Sequence, residues 1–245
     1  MHLLLTGATG LVGSAVLQTM LTTPSISKIS ILSRRPVAQA EGHSKVKVII
    51  HKDFTEYGTD ILDGLRDVQG VVWALGISSM KVGKEEYELI TQTYALSFAR
   101  ALSKTTSPSP LTFIYISGEG ATPTPSLFTA HWALTKGRTE SALLALSKDP
   151  SYANLRPLSL RPGGVDMNDH HEIHKWVGER GWAEALALPV MRALPGIKGL
   201  MSPTRELGGV AVRLAMGGGG VQEGRGVSGE GRTLNNSAIR RLAGI

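Results

Sequence analysis

The chain has 245 residues, 42% of them hydrophobic and 19% charged, which is enough length and apolar content to bury a core of its own. It has no cysteine, which excludes disulfides, thiolate nucleophiles and cysteine metal sites. The formal charge of +6 is spread along the chain without a dense basic run, so an anionic cofactor accounts for its sign and no nucleic-acid partner is expected.

A short apolar run, Leu3 to Leu5, ends at Thr6 and is followed by Gly7, Gly10 and Gly13. An apolar-periodic segment from Leu11 to Leu21 begins inside the glycine run. This reads as strand, tight turn and helix. Glycine permits close approach of backbone to a ligand, and the unpaired N–H groups of a helix start suit a pyrophosphate. Gly7, Thr9, Gly10, Leu11, Val12 and Gly13 are therefore candidate contacts for a dinucleotide. The competing reading is a glycine-rich turn without a ligand.

Lys28 to Leu32 is a second strand, followed by Ser33, Arg34 and Arg35 and stopped by Pro36. A carboxylate at this point would favour NAD, whereas arginine accommodates a 2′-phosphate. Arg34 and Arg35 thus point to NADP(H), unless both are solvated surface charges. Val46 to Ile50 is a third strand, after which Asp53 and Phe54 could frame the adenine; Asp53 could equally cap a turn. A short helix is expected over 59–66 and a buried strand from Gly70 to Leu75, with Ala74, Leu75 and Gly76 at its end. Glu85 to Leu102 reads as one helix, Leu111 to Ile116 as a strand, and Thr129 to Leu146 as a long helix. Leu158 to Leu160 is a strand closed by Arg161, Pro162 and Gly163.

Beyond this point helices are expected at Trp182 to Leu188, Thr204 to Met216 and Ala238 to Leu242. Residues 217–231 are rich in glycine and read as a flexible surface loop. Strands alternating with helices predict a single α/β domain over 1–245, a doubly wound parallel sheet with helices on both faces. Its substrate side should come mainly from residues 164–216. No apolar run is long enough to span a bilayer. A first strand from residue 2 would leave no room for a cleavable leader, so a cytoplasmic protein is expected.

Several motifs occur together and in order: Thr6-Gly-Ala-Thr-Gly-Leu-Val-Gly13, Ala74-Leu-Gly76, Ser117-Gly-Glu-Gly-Ala121, Lys136-Gly-x-x-Glu140, Leu160-Arg-Pro-Gly163 and the tail Asn236 to Leu242. Together they resemble the atypical short-chain dehydrogenase/reductase superfamily, and more closely the Tat-interacting-protein oxidoreductase group and its fungal Fmp relatives at the mitochondrial surface. The resemblance implies a Rossmann fold, NADP(H), carbonyl reduction and a peripheral association with the mitochondrial outer surface. It also implies a Ser, Tyr and Lys active site, with Tyr four residues before Lys on one helix face. The tyrosine would give the proton, and the lysine would hold the nicotinamide ribose and lower the tyrosine pKa.

The sequence departs from that pattern. Trp132 stands four residues before Lys136, and the strand-end pair is Ser117-Gly118. An indole N–H donates but does not cycle a proton near neutral pH. Trp132 could instead wall a substrate pocket. Ser117 could substitute for the family serine. His170 and His174 would share a face if helical and could act as acid and base, although a solvated polar loop explains them too. No metal site is expected. Three functions follow: an NADP(H)-dependent oxidoreductase on a small carbonyl or enone, a non-redox isomerase, cyclase or dehydratase using the pocket histidines, or a non-catalytic NADP(H)-sensing protein.

Overall fold

Apolar side chains alternate between the two faces of the central strands, and this alternation sets the layers. Leu3, Leu5, Val72 and Ile114 face one core, while Leu4, Val71, Trp73, Phe113 and Tyr115 face the other. The computed structural model describes residues 1–178 and 197–245.

Strands β1 (His2–Thr6), β2 (Lys28–Ser33), β3 (Val46–Ile50), β4 (Gly70–Trp73), β5 (Leu111–Ile116) and β6 (Leu155–Leu160) form a parallel sheet in the order 3-2-1-4-5-6. A short pair, β7 (Gly164–Asp166) and β8 (Met201–Pro203), stands apart from that sheet. Strand β9 (Val227–Ser228) runs antiparallel to β10 (Thr233–Leu234), and β10 adds parallel to β6 to complete an eight-stranded sheet. This is the Rossmann-like doubly wound sheet in a single domain.

Helices α1 (Leu11–Thr22) and α6 (Thr204–Met216) cover one face, packing Val16, Leu17, Met20, Val210 and Ala211 into its core. The other face is covered by α4 (Tyr94–Thr106) and α5 (His131–Leu146), which supply Phe98, Ala99, Leu102 and Leu143. On the same side as α4 and α5 lie α2 (Thr59–Asp63) and α3 (Lys84–Glu88), and the last helix is α7 (Asn236–Ala243).

Registers align Thr6 with Trp73, Trp73 with Tyr115 and Tyr115 with Ser159. The carboxyl ends of β1, β4, β5 and β6 therefore share one edge. The order reverses between β1 and β4, which is where ligands sit in such sheets.

The structure departs from sequence expectations at three places. The single helix expected from Glu85 to Leu102 is broken by a π-turn at Leu89–Thr93. The strand expected at Leu158 to Leu160 begins earlier, at Leu155, because Leu155 is buried in register with Leu111. The pair β7–β8 is too short to leave a periodic signal. Residues 217–231, expected as a flexible loop, follow a hydrogen-bonded path. Gln222 N–H donates to the Gly231 carbonyl (2.9 Å), and Asn235 N–H donates to the Gly226 carbonyl (2.9 Å). The glycines there serve positive φ at 218, 219, 224, 226, 229 and 231. The helix expected at Trp182 to Leu188 lies outside the described residues.

Candidate functional site

The turn after β1 is shaped by backbone crowding. Gly7 has φ +70°, and a Cβ on it would collide with the Ala74 carbonyl at the end of β4. A Cβ on Gly13 would collide with the Gly7 carbonyl, so α1 packs directly onto the turn. Gly10 N–H donates to the Gly7 carbonyl (2.9 Å), and the Ser14 hydroxyl donates to the Ala8 carbonyl (3.0 Å). No side chain caps α1 and no acid lies in its first turn, so the N–H groups of Leu11 and Val12 stay open to an anion.

Beside the turn lies a cavity of about 390 Å³, lined by Gly7, Thr9, Leu32, Ser33, Arg34, Arg35, Phe54 and Leu75. No carboxylate is among these described lining residues. Arg35 donates from Nη2 to Thr9 Oγ1 (3.3 Å), while Arg34 is exposed and has no partner among the described residues. Phe54 is fully buried, tilted against Tyr94 at 5.6 Å between ring centroids, and forms the floor. Asp53 does not line this cavity. Its carboxylate accepts from Thr55 N–H (2.9 Å) and Thr55 Oγ1 (2.5 Å), and these bonds hold it below the usual carboxylate range. The turn-cap reading of Asp53 fits this geometry. Leu75 N–H donates to Thr6 Oγ1 (3.2 Å), tying β4's end to β1, and Gly76 after it is exposed and is not among the lining residues.

At the end of β5 the structure brings Gly118, Trp132 and Lys136 together. Positions 132 and 136 share a face of α5, as i and i+4 must. A Cβ placed on Gly118 would stand 3.5 Å from Trp132 Cζ3 and 4.0 Å from Lys136 Nζ. Lys136 donates from Nζ to the carbonyls of Ser117 (2.7 Å) and Ile116 (3.4 Å). Burial pushes its ammonium down to about 8, against a small opposing pull from Glu140. Trp132 makes no hydrogen bond among the described residues.

Ser117 is not part of this group. Its Oγ is buried without a hydrogen-bond partner among the described residues, while the residue facing Trp132 and Lys136 is Gly118. Pro162 accepts from Glu119 N–H (2.8 Å), and Gly163 N–H donates to Ser202 Oγ (3.0 Å), which places the β6 end beside this group.

The loop histidines lie elsewhere. His170 is buried with Nδ1 at 3.0 Å from Thr204 Oγ1, and burial lowers its pKa. His174 is exposed, with Nε2 at 2.8 Å from the Met167 carbonyl. His174 lines a cavity with Gln18, Leu21 and Thr22 from the C-terminal half of α1. The cofactor cradle lies at the other end of that helix. The expected shared helical face is not formed, because the segment at His171–Ile173 is a single 3₁₀ turn that points the two rings to different partners.

No protein-family model matches the chain. It is 32% identical over 260 residues to leucinostatins biosynthesis cluster protein T of Purpureocillium lilacinum, covering 98% of this chain and 94% of that protein. It is 36% identical to botcinic acid biosynthesis cluster B protein 16 of Botryotinia fuckeliana, over 62% of this chain and 99% of that one. Mitochondrial protein FMP52 of Candida albicans is 25% identical over 86% of each chain. Among solved structures, the Bordetella bronchiseptica enzyme WbmF in complex with NAD+ superposes with TM-score 0.67 at 14% identity, over 99% of this chain and 76% of that one. A short-chain dehydrogenase/reductase family oxidoreductase from Burkholderia thailandensis gives TM-score 0.67 at 14% identity, over 97% and 91%. The chain belongs to the family of leucinostatins biosynthesis cluster protein T, and its fold is that of the short-chain dehydrogenases/reductases.

Within this fold, the sequence motifs also contain a pair whose role sequence reasoning left unassigned. Glu140 and Arg161 form a buried ion pair, with Arg161 Nε donating to Oε1 (2.9 Å) and Oε2 (3.1 Å). It locks α5 to the end of β6 and so fixes Lys136 against the sheet edge. Opposite charges in two adjacent motifs were the available signal. Asn236, from the tail motif, joins the same region. Its N–H donates to Glu119 Oε2 (2.9 Å), and its Oδ1 accepts from Ser202 Oγ (2.6 Å). Among the described residues, no helix is long and apolar enough to cross a membrane.

Proposed function

We propose that this chain is an NADP(H)-dependent oxidoreductase acting on a small carbonyl or enone. The observation that carries the cofactor choice is the cavity beside Gly7, which presents Arg34 and Arg35 and no carboxylate. The glycine cradle fits a dinucleotide, since a Cβ at Gly7 or Gly13 would collide with backbone. The open N–H groups of Leu11 and Val12 would meet the pyrophosphate. Arg34 and Arg35 would pair with a 2′-phosphate, which guanidinium groups match by charge and shape. Phe54 would support the adenine, and the strand ends at Ala74 to Gly76 and Pro162 to Gly163 would border the nicotinamide side.

Lys136 would hold the nicotinamide ribose, with two of its three donors already fixing its position. When bound, the cofactor supplies hydride. The chain's own residues shape the acceptor site: Trp132 supplies a flat wall and an N–H free to hold a carbonyl oxygen. Ser117 is buried and the histidines are turned away, so the proton comes from solvent. The names of two relatives support a substrate drawn from a fungal biosynthesis cluster. A peripheral mitochondrial site finds support in the names of the FMP52 relatives.

A second reading has its own observation. Gly118 and Trp132 leave no hydroxyl beside Lys136, which favours a protein that binds NADP(H) without transferring hydride. The test is NADPH oxidation against a panel of carbonyl and enone compounds, comparing wild type with a Gly118→Ser, Trp132→Tyr double variant. A Cβ at 118 is at ordinary contact distance from Trp132, so the variant is sterically accommodated. Wild-type turnover supports the oxidoreductase. Turnover by the variant alone would establish the non-redox reading for the natural protein.

A further inference from the structure

Two glycines leave a shallow notch against Trp132 beside Lys136. A Cβ on Gly118 would stand 3.5 Å from Trp132 Cζ3, 3.9 Å from Lys136 Cδ and 4.0 Å from Lys136 Nζ. A Cβ on Gly120 would stand 3.6 Å from Trp132 Cη2. These are ordinary van der Waals distances, so the space a side chain would take at either position is not filled by other parts of the chain. Gly118, Trp132 and Lys136 are each partly exposed and Gly120 is exposed, so the notch opens to solvent.

The nitrogen that borders this notch is arranged as an amine. Lys136 Nζ donates to the carbonyls of Ser117 (2.7 Å) and Ile116 (3.4 Å) and forms no ion pair among the described residues. An uncharged lysine amine has two N–H bonds, and the two carbonyls accept both. Its remaining position is a lone pair, and no third acceptor among the described residues calls for a proton there. Burial holds the ammonium down at about 8, so free amine is present near neutral pH. Glu140, one turn further along α5, pulls the other way, but Arg161 holds its carboxylate. Glu119, on the turn after β5, accepts from the Asn236 N–H.

We infer that Lys136 is a nucleophile that forms an imine with a small ketone or aldehyde seated in this notch. A desolvated lysine without a partnering acid is the setting in which such an amine reacts. Its lone pair forms the N–C bond, and the carbonyl π pair moves to oxygen. That oxygen takes one proton from the nitrogen and one from solvent and leaves as water, while the nitrogen's recovered lone pair closes the C=N bond. The product is an iminium that keeps one N–H, which the Ser117 carbonyl accepts. An iminium acidifies the neighbouring C–H, which is the chemistry of dehydration and isomerisation rather than of hydride transfer. No oxidant, reductant or dinucleotide takes part, so the inference goes beyond the reductase reading and does not rest on it.

The test incubates the full chain, without any dinucleotide, with acetone and sodium cyanoborohydride, which reduces the iminium to a stable isopropyl-lysine. Peptide mass mapping then follows each lysine separately. At about pH 7.5 Lys136 should be alkylated about tenfold or more faster than the exposed Lys81 and Lys84, because an amine of lowered pKa holds far more of its free form there. Its rate should level off above about pH 8. Alkylation of Lys136 no faster than of Lys81 and Lys84 would overturn the inference. Gly118→Val fills the notch and should slow Lys136 about tenfold, with Lys81 and Lys84 unchanged and a native circular dichroism spectrum. Undiminished alkylation of Lys136 in the folded variant would overturn the notch as the seat of the carbonyl compound. The wild-type comparison decides the nucleophile even where the variant does not fold.

Discussion

Replacing Lys136 with methionine should remove a pH-dependent part of the protein's stability. Burial lowers the Lys136 ammonium from 10.5 to about 8. The folded pKa lies below the unfolded one, so the unfolded chain binds more protons between the two values and stability rises with pH across that window. The contribution is complete above about 10.5 and is lost as the pH falls through about 8. Near neutral pH the folded protein holds an ammonium that would be better solvated in the unfolded chain. Linkage over this shift gives about 2 kcal/mol between about pH 7 and about pH 10, after allowing for the partial exposure of the side chain. Urea unfolding of wild type and Lys136→Met at both pH values measures the difference, with the other titrating groups cancelling between the two proteins. Wild type should gain about 2 kcal/mol over the variant on going to alkaline pH. Stability differences that stay constant with pH would show that Lys136 is not desolvated, and would remove the physical basis for its placement at the ribose.

Three further outcomes test neighbouring parts of the account. Gly13→Ala puts a methyl group onto the Gly7 carbonyl, and should abolish NADPH fluorescence enhancement as well as lowering the melting temperature; retained binding would show that the turn is not the cradle. Glu140→Ala leaves the Arg161 guanidinium partly buried without its partner and should cost about 3 kcal/mol, measured by denaturant unfolding, whereas an unchanged midpoint would mean that the pair does not lock α5 to β6. His174→Ala should leave NADPH binding and any reductase turnover unchanged, because its ring bonds the Met167 carbonyl; a tenfold loss of turnover would return the loop histidines to the chemistry.

The nucleotide half of this fold was readable because its signals are local. Gly7, Gly10 and Gly13 sit between an apolar run and a helical period, and Gly13 is required by its contact with Gly7 within the same strand–turn–helix unit, whereas Gly7 is crowded by the Ala74 carbonyl at the end of β4. The acceptor side depends on residues far apart in sequence. Trp132 and Lys136 share a face by helical spacing, but their facing Gly118 rather than Ser117 is decided by the turn after β5. The His170–His174 face failed because a helix requires more than one turn, and the buried Thr204 hydroxyl draws His170 inward. In the glycine-rich stretch 217–231, composition alone does not separate glycines that confer flexibility from glycines that serve positive-φ positions. Phe54 and Asp53 were named together, yet only Phe54 lines the cavity, because the Asp53 carboxylate closes a local turn with Thr55.

The central claim is that Arg34 and Arg35 select the phosphorylated dinucleotide. Parallel titrations of NADPH and NADH into wild type and an Arg34→Ala, Arg35→Ala variant, read by reduced-nicotinamide fluorescence, test it most directly. The expected result is NADPH binding tighter than NADH by about tenfold or more in wild type, with the preference lost in the variant and NADH affinity little changed. Equal affinity for the two dinucleotides in wild type, or a preference that survives the double substitution, would contradict it.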